Sequence, residues 1–135
     1  MRDWILLLLL LLPAGLRAQE VTPIANSPGQ LNWTENQLKA VFVGDRSQWP
    51  NGQSVIVVLP ASGSDSFEQT ALWALDTDGF DYQKHWLSLV FQGRANAPVF
   101  VDNEAKVIEY VEQHPGAIGI LHTEQPPTAL RLKIQ

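Results

Sequence analysis

The residues best placed to do chemistry in this 135-residue sequence form one short run, Ser62-Gly63-Ser64-Asp65-Ser66. The run follows an apolar stretch and leads into a helical pattern at Asp65 to Phe67, so free backbone amides and the positive end of a helix face the loop. Hydroxyls add further donors, and the segment makes a small cradle for an oxyanion. The same serines and Asp65 serve equally as a helix cap. The residues alone leave both readings open, and Ser62, Gly63, Ser64, Asp65 and Ser66 are the candidate ligand-binding residues.

Other chemistry finds less support. His85, His114 and His122 are far apart in sequence and form no HExxH-like pair, so no catalytic metal site is expected. Asp76, Asp78 and Asp81 lack the register of a calcium-binding hand and read as an acidic loop with a helix cap at Asp78 or Asp81. No serine sits in a Gly-x-Ser-x-Gly elbow. The absence of cysteine removes thiol nucleophiles, disulfides, Cys zinc sites and a lipid-modified N-terminal cysteine. No catalytic residue and no cofactor is expected, and the protein reads as a non-enzyme. Trp33 and Trp49 remain free to stack on a ligand, whereas Trp73 and Trp86 lie on helical stripes and read as core.

Composition sets the frame for these residues. With 45% hydrophobic and 17% charged residues the chain is globular, and its length suits one domain. A net charge of −5 with no basic run argues against nucleic acid and against anionic lipid. Arg2, the apolar run Trp4 to Leu12, then Pro13, Gly15 and Ala18 follow the order of a secretory signal peptide. Residues 1–18 are therefore expected to be cleaved after Ala18, leaving a soluble exported domain of residues 19–135 with no membrane insertion. A bilayer-spanning helix needs about 20 apolar residues, and this run is too short.

Elements that must position the cradle are legible along the rest of the chain. Val21 to Asn26 reads as a short strand ended by Ser27-Pro28-Gly29. Thr34 and Gln37 form a capping box for a helix that buries Leu38, Val41 and Phe42 and closes at Gly44. Trp49-Pro50-Asn51-Gly52 is a type I turn. Val55 to Leu59 is apolar on both faces, the pattern of a central strand covered on both sides. A helix through Phe67, Ala71, Leu72 and Leu75 follows, then one with Tyr82, Trp86, Leu89 and Val90 on one stripe that stops at Gly93. Val99 to Val101 is a strand, and Asp102 caps a helix that turns Val107, Ile108 and Val111 inward. His114-Pro115-Gly116 breaks it before the buried strand Ala117 to Leu121. After Pro126-Pro127, Leu130, Leu132 and Ile134 alternate with Arg131 and Lys133 as a half-exposed strand. Helices alternating with strands predict an α/β three-layer sandwich.

The order of these segments resembles the type 2 periplasmic binding proteins of the phosphate receptor kind, in particular short single-lobe relatives. The resemblance rests on Leu38-Lys39-Ala40-Val41-Phe42-Val43-Gly44, Trp49-Pro50-Asn51-Gly52 with the strand through Leu59, and Ser62-Gly63-Ser64 with Phe67. It continues through Trp86 to Val90-Phe91-Gln92-Gly93-Arg94 with Pro98, and Pro115-Gly116-Ala117-Ile118-Gly119. It implies export to the periplasm, one lobe of a binding-protein fold, and kinship with the substrate-binding receptors of phosphate ABC transporters. In that family a Ser-Gly-Thr loop at a helix start bonds the phosphate, and Ser62, Gly63 and Ser64 match it. The resemblance also implies an arginine three residues before the first serine, where this chain has Leu59, and a second lobe with its own phosphate loop, which residues 19–135 lack. Two functions follow as expectations: weak binding of inorganic phosphate or a similar oxyanion in transport or sensing, or a non-catalytic module that docks on a transporter or another exported protein without binding phosphate.

Overall fold

The structure, a computed structural model, describes residues 21–135; the expected signal peptide and its cleavage point lie outside the described residues. The strand β3 (Ile56–Pro60) lies in the interior of a four-stranded sheet. It pairs in parallel with β4 (Val99–Val101) on one side and with β5 (Ala117–Leu121) on the other. β1 (Thr22–Ala25) adds to the far side of β5 in the antiparallel sense, giving the order β1-β5-β3-β4.

Side chains alternate across a strand, so each strand must find cover on two faces. Val57, Leu59, Ile118, Ile120 and Ala25 point to one face, into a core shared with α1 (Glu35–Phe42), α2 (Asp65–Leu75) and α3 (Gly79–Phe91). Val58, Ala117, Leu121 and Ile24 point to the other, against Val107 and Val111 of α4 (Glu104–Gln113). The connection from β3 to β4 steps outward and the connection from β4 to β5 steps back past β3. Right-handed crossovers taken in opposite directions put their helices on opposite faces, and the result is the three-layer α/β sandwich expected from the sequence. Gly119 belongs to this packing: a Cβ there would run into the Val107 side chain, so only glycine lets α4 sit this close to the sheet.

Local signals explain the helix ends. Thr34 Oγ1 accepts from the Gln37 amide at 3.1 Å while Gln37 Oε1 accepts from the Thr34 amide at 3.0 Å, the reciprocal box expected for α1. Gly52 N donates to Trp49 O at 2.9 Å, closing the turn before β3. Asp78 caps α3 by accepting from the Asp81 amide at 2.8 Å, which gives the Asp76, Asp78 and Asp81 group its capping role. Trp86 is buried as its stripe predicts and Trp73 is half-buried against the core, but Trp33 and Trp49 are buried too and are not free to stack on a ligand: Trp49 Nε1 donates to Gly116 O at 2.9 Å and Trp33 Nε1 to Gln30 O at 2.9 Å.

Four further expectations need correction. The cap of α4 is Asn103, whose Oδ1 accepts from Lys106 N at 3.0 Å; the helix starts one residue later than Asp102 would require. Leu72 is 53% exposed, because the inward stripe of α2 runs through Phe67, Thr70 and Ala71 and rotates Leu72 to solvent. Val90 and Ile108 are half-buried at the edges of their helices' inward stripes. The C-terminal alternation is not one strand: Thr128–Leu130 is a 3-10 turn after Pro126-Pro127, Arg131 makes an isolated antiparallel bridge to Ile24, and β6 (Lys133–Ile134) pairs in parallel with β2 (Asn32–Trp33). Leu132 is buried, its amide held by Pro23 O at 3.0 Å, while Ile134 is exposed.

Val57, 7% exposed in the interior strand, is the sharpest probe of this arrangement. Val57→Asp places an unpaired charge there at a cost of several kcal/mol, on the scale of the whole stability of a small domain, about 5–15 kcal/mol. Urea denaturation should show Val57→Asp largely unfolded in the absence of urea, whereas Ile134→Asp, at an exposed position, should keep a near wild-type midpoint.

Candidate functional site

β3, β4 and β5 run parallel, so their carboxyl ends meet at one edge of the sheet. The chain leaves β3 toward the α2 and α3 face and leaves β4 toward the α4 face. The loops after these two neighbouring strands therefore part, and a crevice opens between them, the place where open α/β sheets bind ligands. A shallow depression of about 250 Å³ lies there, lined by Ala61, Ser62, Gln83, Phe100, Val101 and Asp102.

Of the candidate residues only Ser62 lines this depression; Gly63 follows it in the turn, Ser64 caps α2, and Asp65 and Ser66 open the helix. Ser64 N donates to Ala61 O at 3.1 Å, making a tight turn in which Gly63 adopts φ +88°, a conformation that favours glycine. The three hydroxyls go to three different partners. Ser62 Oγ donates to Gln83 Oε1 of α3 at 3.1 Å, at the mouth of the depression. Ser64 Oγ accepts from Phe67 N at 3.2 Å as the cap of α2. Ser66 Oγ donates to Glu104 Oε2 at 2.5 Å, toward the start of α4. Asp65 and Gly63 are exposed, and nothing crowds Gly63. Among the described residues the amides of Asp65 and Ser66 have no backbone acceptor, as the first turn of a helix requires.

Asp102 is the charged residue among those lining the depression, and Asp65 adds a second negative charge in the first turn of α2. Leu59 is 1% exposed and belongs to the core beneath α1, α2 and α3, so position 59 points away from the loop.

Glu104 is the residue that sequence reasoning passed over. Its carboxylate is buried at 4% exposure, although the side chain belongs to the first turn of α4. Oε1 accepts from three consecutive amides, His122, Thr123 and Glu124, each at 3.0 Å, and from Thr123 Oγ1 at 3.3 Å. These amides follow β5, so one side chain ties the loop at the end of β5 to α4 and, through Ser66, to α2. An acid in the first turn of a helix looks like an ordinary dipole partner in sequence. Its donors are backbone groups, which no residue pattern advertises.

Burial of the Glu104 carboxyl pushes its pKa up, but the Ser66 hydroxyl and the amides of Glu124, Thr123 and His122 outweigh that, and the net shift is below the usual carboxylate value. His122 sits beside it, with Nε2 2.9 Å from Thr70 Oγ1. The Thr70 hydroxyl spends its one proton on Ser66 O at 3.0 Å, which assigns the imidazole proton to Nε2. Burial holds the His122 pKa below its usual value, against the opposing pull of the Glu104 carboxylate. The other histidines lie elsewhere: His85 Nε2 is 2.6 Å from Val43 O and His114 Nδ1 2.8 Å from Tyr110 O.

Neither a family model nor a curated protein matches the sequence. Solved structures do match in shape. The chain is similar to an ABC-type phosphate transport receptor from Vibrio cholerae, with TM-score 0.60 and 15% identity over 84% of this chain and 44% of that one. It is also similar to PstS from Borrelia burgdorferi, with TM-score 0.53 and 16% identity over 75% of this chain and 39% of that one. A possible phosphate binding protein from Planctomyces limnophilus DSM 3776 matches with TM-score 0.52 and 13% identity over 76% and 35%. At these identities the likeness is one of fold, that of a periplasmic-binding-protein lobe. The chain spans less than half the length of each of these proteins.

The pKa directions fix the sign of the acid response. Glu104, lowered in the folded state, contributes stability that is present above its ordinary value of 4.5 and lost as pH falls through the folded value. His122, also lowered, opposes protonation, so its contribution is present above 6.5 and declines as pH falls below it. Glu104→Gln should cost about 2 kcal/mol at pH 7, the value of a lost charge-assisted set of hydrogen bonds, and should flatten the loss of stability below pH 4.5. Urea midpoints measured from pH 7 to pH 3 check both.

Proposed function

We propose that this chain is an exported, non-catalytic protein of the phosphate receptor kind, a single lobe that offers inorganic phosphate or a similar oxyanion a weak site at Ser62, Gly63, Ser64, Asp65 and Ser66. The observation that carries this reading is the position of the loop: it ends an interior parallel strand, borders the crevice at the carboxyl edge and opens α2 with the Asp65 and Ser66 amides free. The solved receptors of similar fold support the same class. Residues 1–18 act as the signal peptide, residues 19–135 work in the periplasm, and the role is in phosphate uptake or sensing beside an ABC transporter.

Affinity is weak for stated reasons. Only neutral donors face the ligand, the Ser62 and Ser64 hydroxyls already have partners, and Asp65 and Asp102 repel an anion. Position 59 faces the core, so the arginine of the receptor family has no replacement from that strand.

A second reading has its own observation. Phe80 of α3 is 70% exposed, and with Leu87 of the same helix and Phe100 of the edge strand β4 it borders an apolar groove of about 300 Å³. A contiguous strip of this kind fits a module that docks on another exported protein and keeps the lobe fold without binding phosphate.

Calorimetric titration of residues 19–135 with phosphate separates the two. The receptor reading expects a dissociation constant on the order of 0.1 mM or weaker. Ser62→Ala and Ser64→Ala should each weaken it by about 1 kcal/mol, and Leu59→Arg should destabilise the fold without tightening binding. A folded protein that gives no heat with millimolar phosphate, sulfate or arsenate favours the docking module. Mass spectrometry of the exported protein should find Gln19 at the N-terminus; residues 1–18 retained in a membrane fraction would contradict the processing.

A further inference from the structure

The Glu104 carboxylate is nine-tenths buried and has no cation partner among the described residues. Burying a charge without compensation is costly, and here the compensation is entirely neutral. Three successive amides converge on one oxygen, the Thr123 hydroxyl joins them, and the Ser66 hydroxyl takes the second oxygen. Consecutive amides turned toward one point make a concavity that binds anions. Ion pairs such as Lys39 with Glu35 or Lys106 with Glu109 are exposed side-chain pairs of another kind.

We propose that the amides of His122, Thr123 and Glu124, with the hydroxyls of Thr123 and Ser66, form a built carboxylate-binding site that the chain fills with its own Glu104 side chain as a tethered ligand. The occupant is a part of α4, whereas the donors belong to the β5 loop and α2, so host and guest come from different elements. The site is separate from the crevice between β3 and β4, and it holds whether or not the Ser62 loop binds phosphate. The two share Ser66. While Glu104 is seated, the Ser66 hydroxyl serves the carboxylate, and an anion at the start of α2 meets Ser66 only through its amide.

Truncation gives a direct test. Glu104→Ala removes Cγ, Cδ and both oxygens, which are the heavy atoms of acetate. Urea midpoints of the full exported chain are compared in sodium acetate, sodium phosphate and sodium chloride at equal ionic strength, which holds screening constant. If acetate binds with a dissociation constant of about 50 mM, 0.5 M acetate raises the folding constant of Glu104→Ala about tenfold over chloride and leaves the wild type unmoved. Ser66→Ala added to Glu104→Ala should reduce that gain. If Glu104→Ala is unfolded in chloride, recovery of near-UV circular dichroism on adding acetate is the equivalent result. Equal midpoints in acetate and chloride, an equal acetate response in the wild type, no recovery of an unfolded variant, or stabilisation by phosphate in place of acetate would each overturn the assignment.

Discussion

The organisation of this protein depends on a strand that is apolar on both faces. β3 carries Val57 and Leu59 toward one side and Val58 toward the other, and all three are buried. Neither face can be left to water, since each buried aliphatic side chain contributes about 1.5–3 kcal/mol of transfer free energy. Helices are thus needed on both sides. Because crossovers are right-handed, covering both faces requires the chain to reverse its direction across the sheet. That reversal is the step from β4 back over β3 to β5, and it opens the crevice at the carboxyl edge. The crevice is therefore a by-product of how the core is sealed.

At that edge the structure gathers backbone donors and very little positive charge. The start of α2 leaves the Asp65 and Ser66 amides free, and the loop after β5 turns three amides to one point. Neutral dipoles of this kind hold an anion tightly only where water is displaced, because their strength in bulk water is screened. The buried Glu104 carboxylate satisfies that condition, and the open loop at Ser62 to Ser64 does not. This difference is why the proposed outer site is weak while the inner donors are saturated by Glu104.

Much of the scaffold was legible because its signals are local. Thr34 and Gln37 form the box their spacing predicts, Gly52 closes the turn with Trp49, and the double-faced apolar run of β3 marks the centre of the sheet. The receptor resemblance was legible from the order of such segments. Other features depend on long-range packing and were not. Leu72 looks like core by composition, yet the partners of α2 select Phe67, Thr70 and Ala71. The Asp102-Asn103 pair offers two caps, and only the helix start decides between them. Glu104 was missed because its donors lie 18 to 20 residues away and are amides rather than side chains. The serines fell between these cases: a cap and an anion cradle would use the same atoms, and the structure shows Ser64 as the cap while Ser62 and Ser66 donate to Gln83 and Glu104.

The central claim is that the loop between β3 and α2 receives a small oxyanion through backbone amides. Amide nitrogen-proton correlation spectra of residues 19–135, recorded through a phosphate titration at constant ionic strength, address it residue by residue. The account predicts saturating shifts at Gly63, Asp65 and Ser66 in the millimolar range, with the amides of His122, Thr123 and Glu124 unmoved because Glu104 holds them. A folded spectrum in which Gly63, Asp65 and Ser66 stay fixed at saturating phosphate would contradict it.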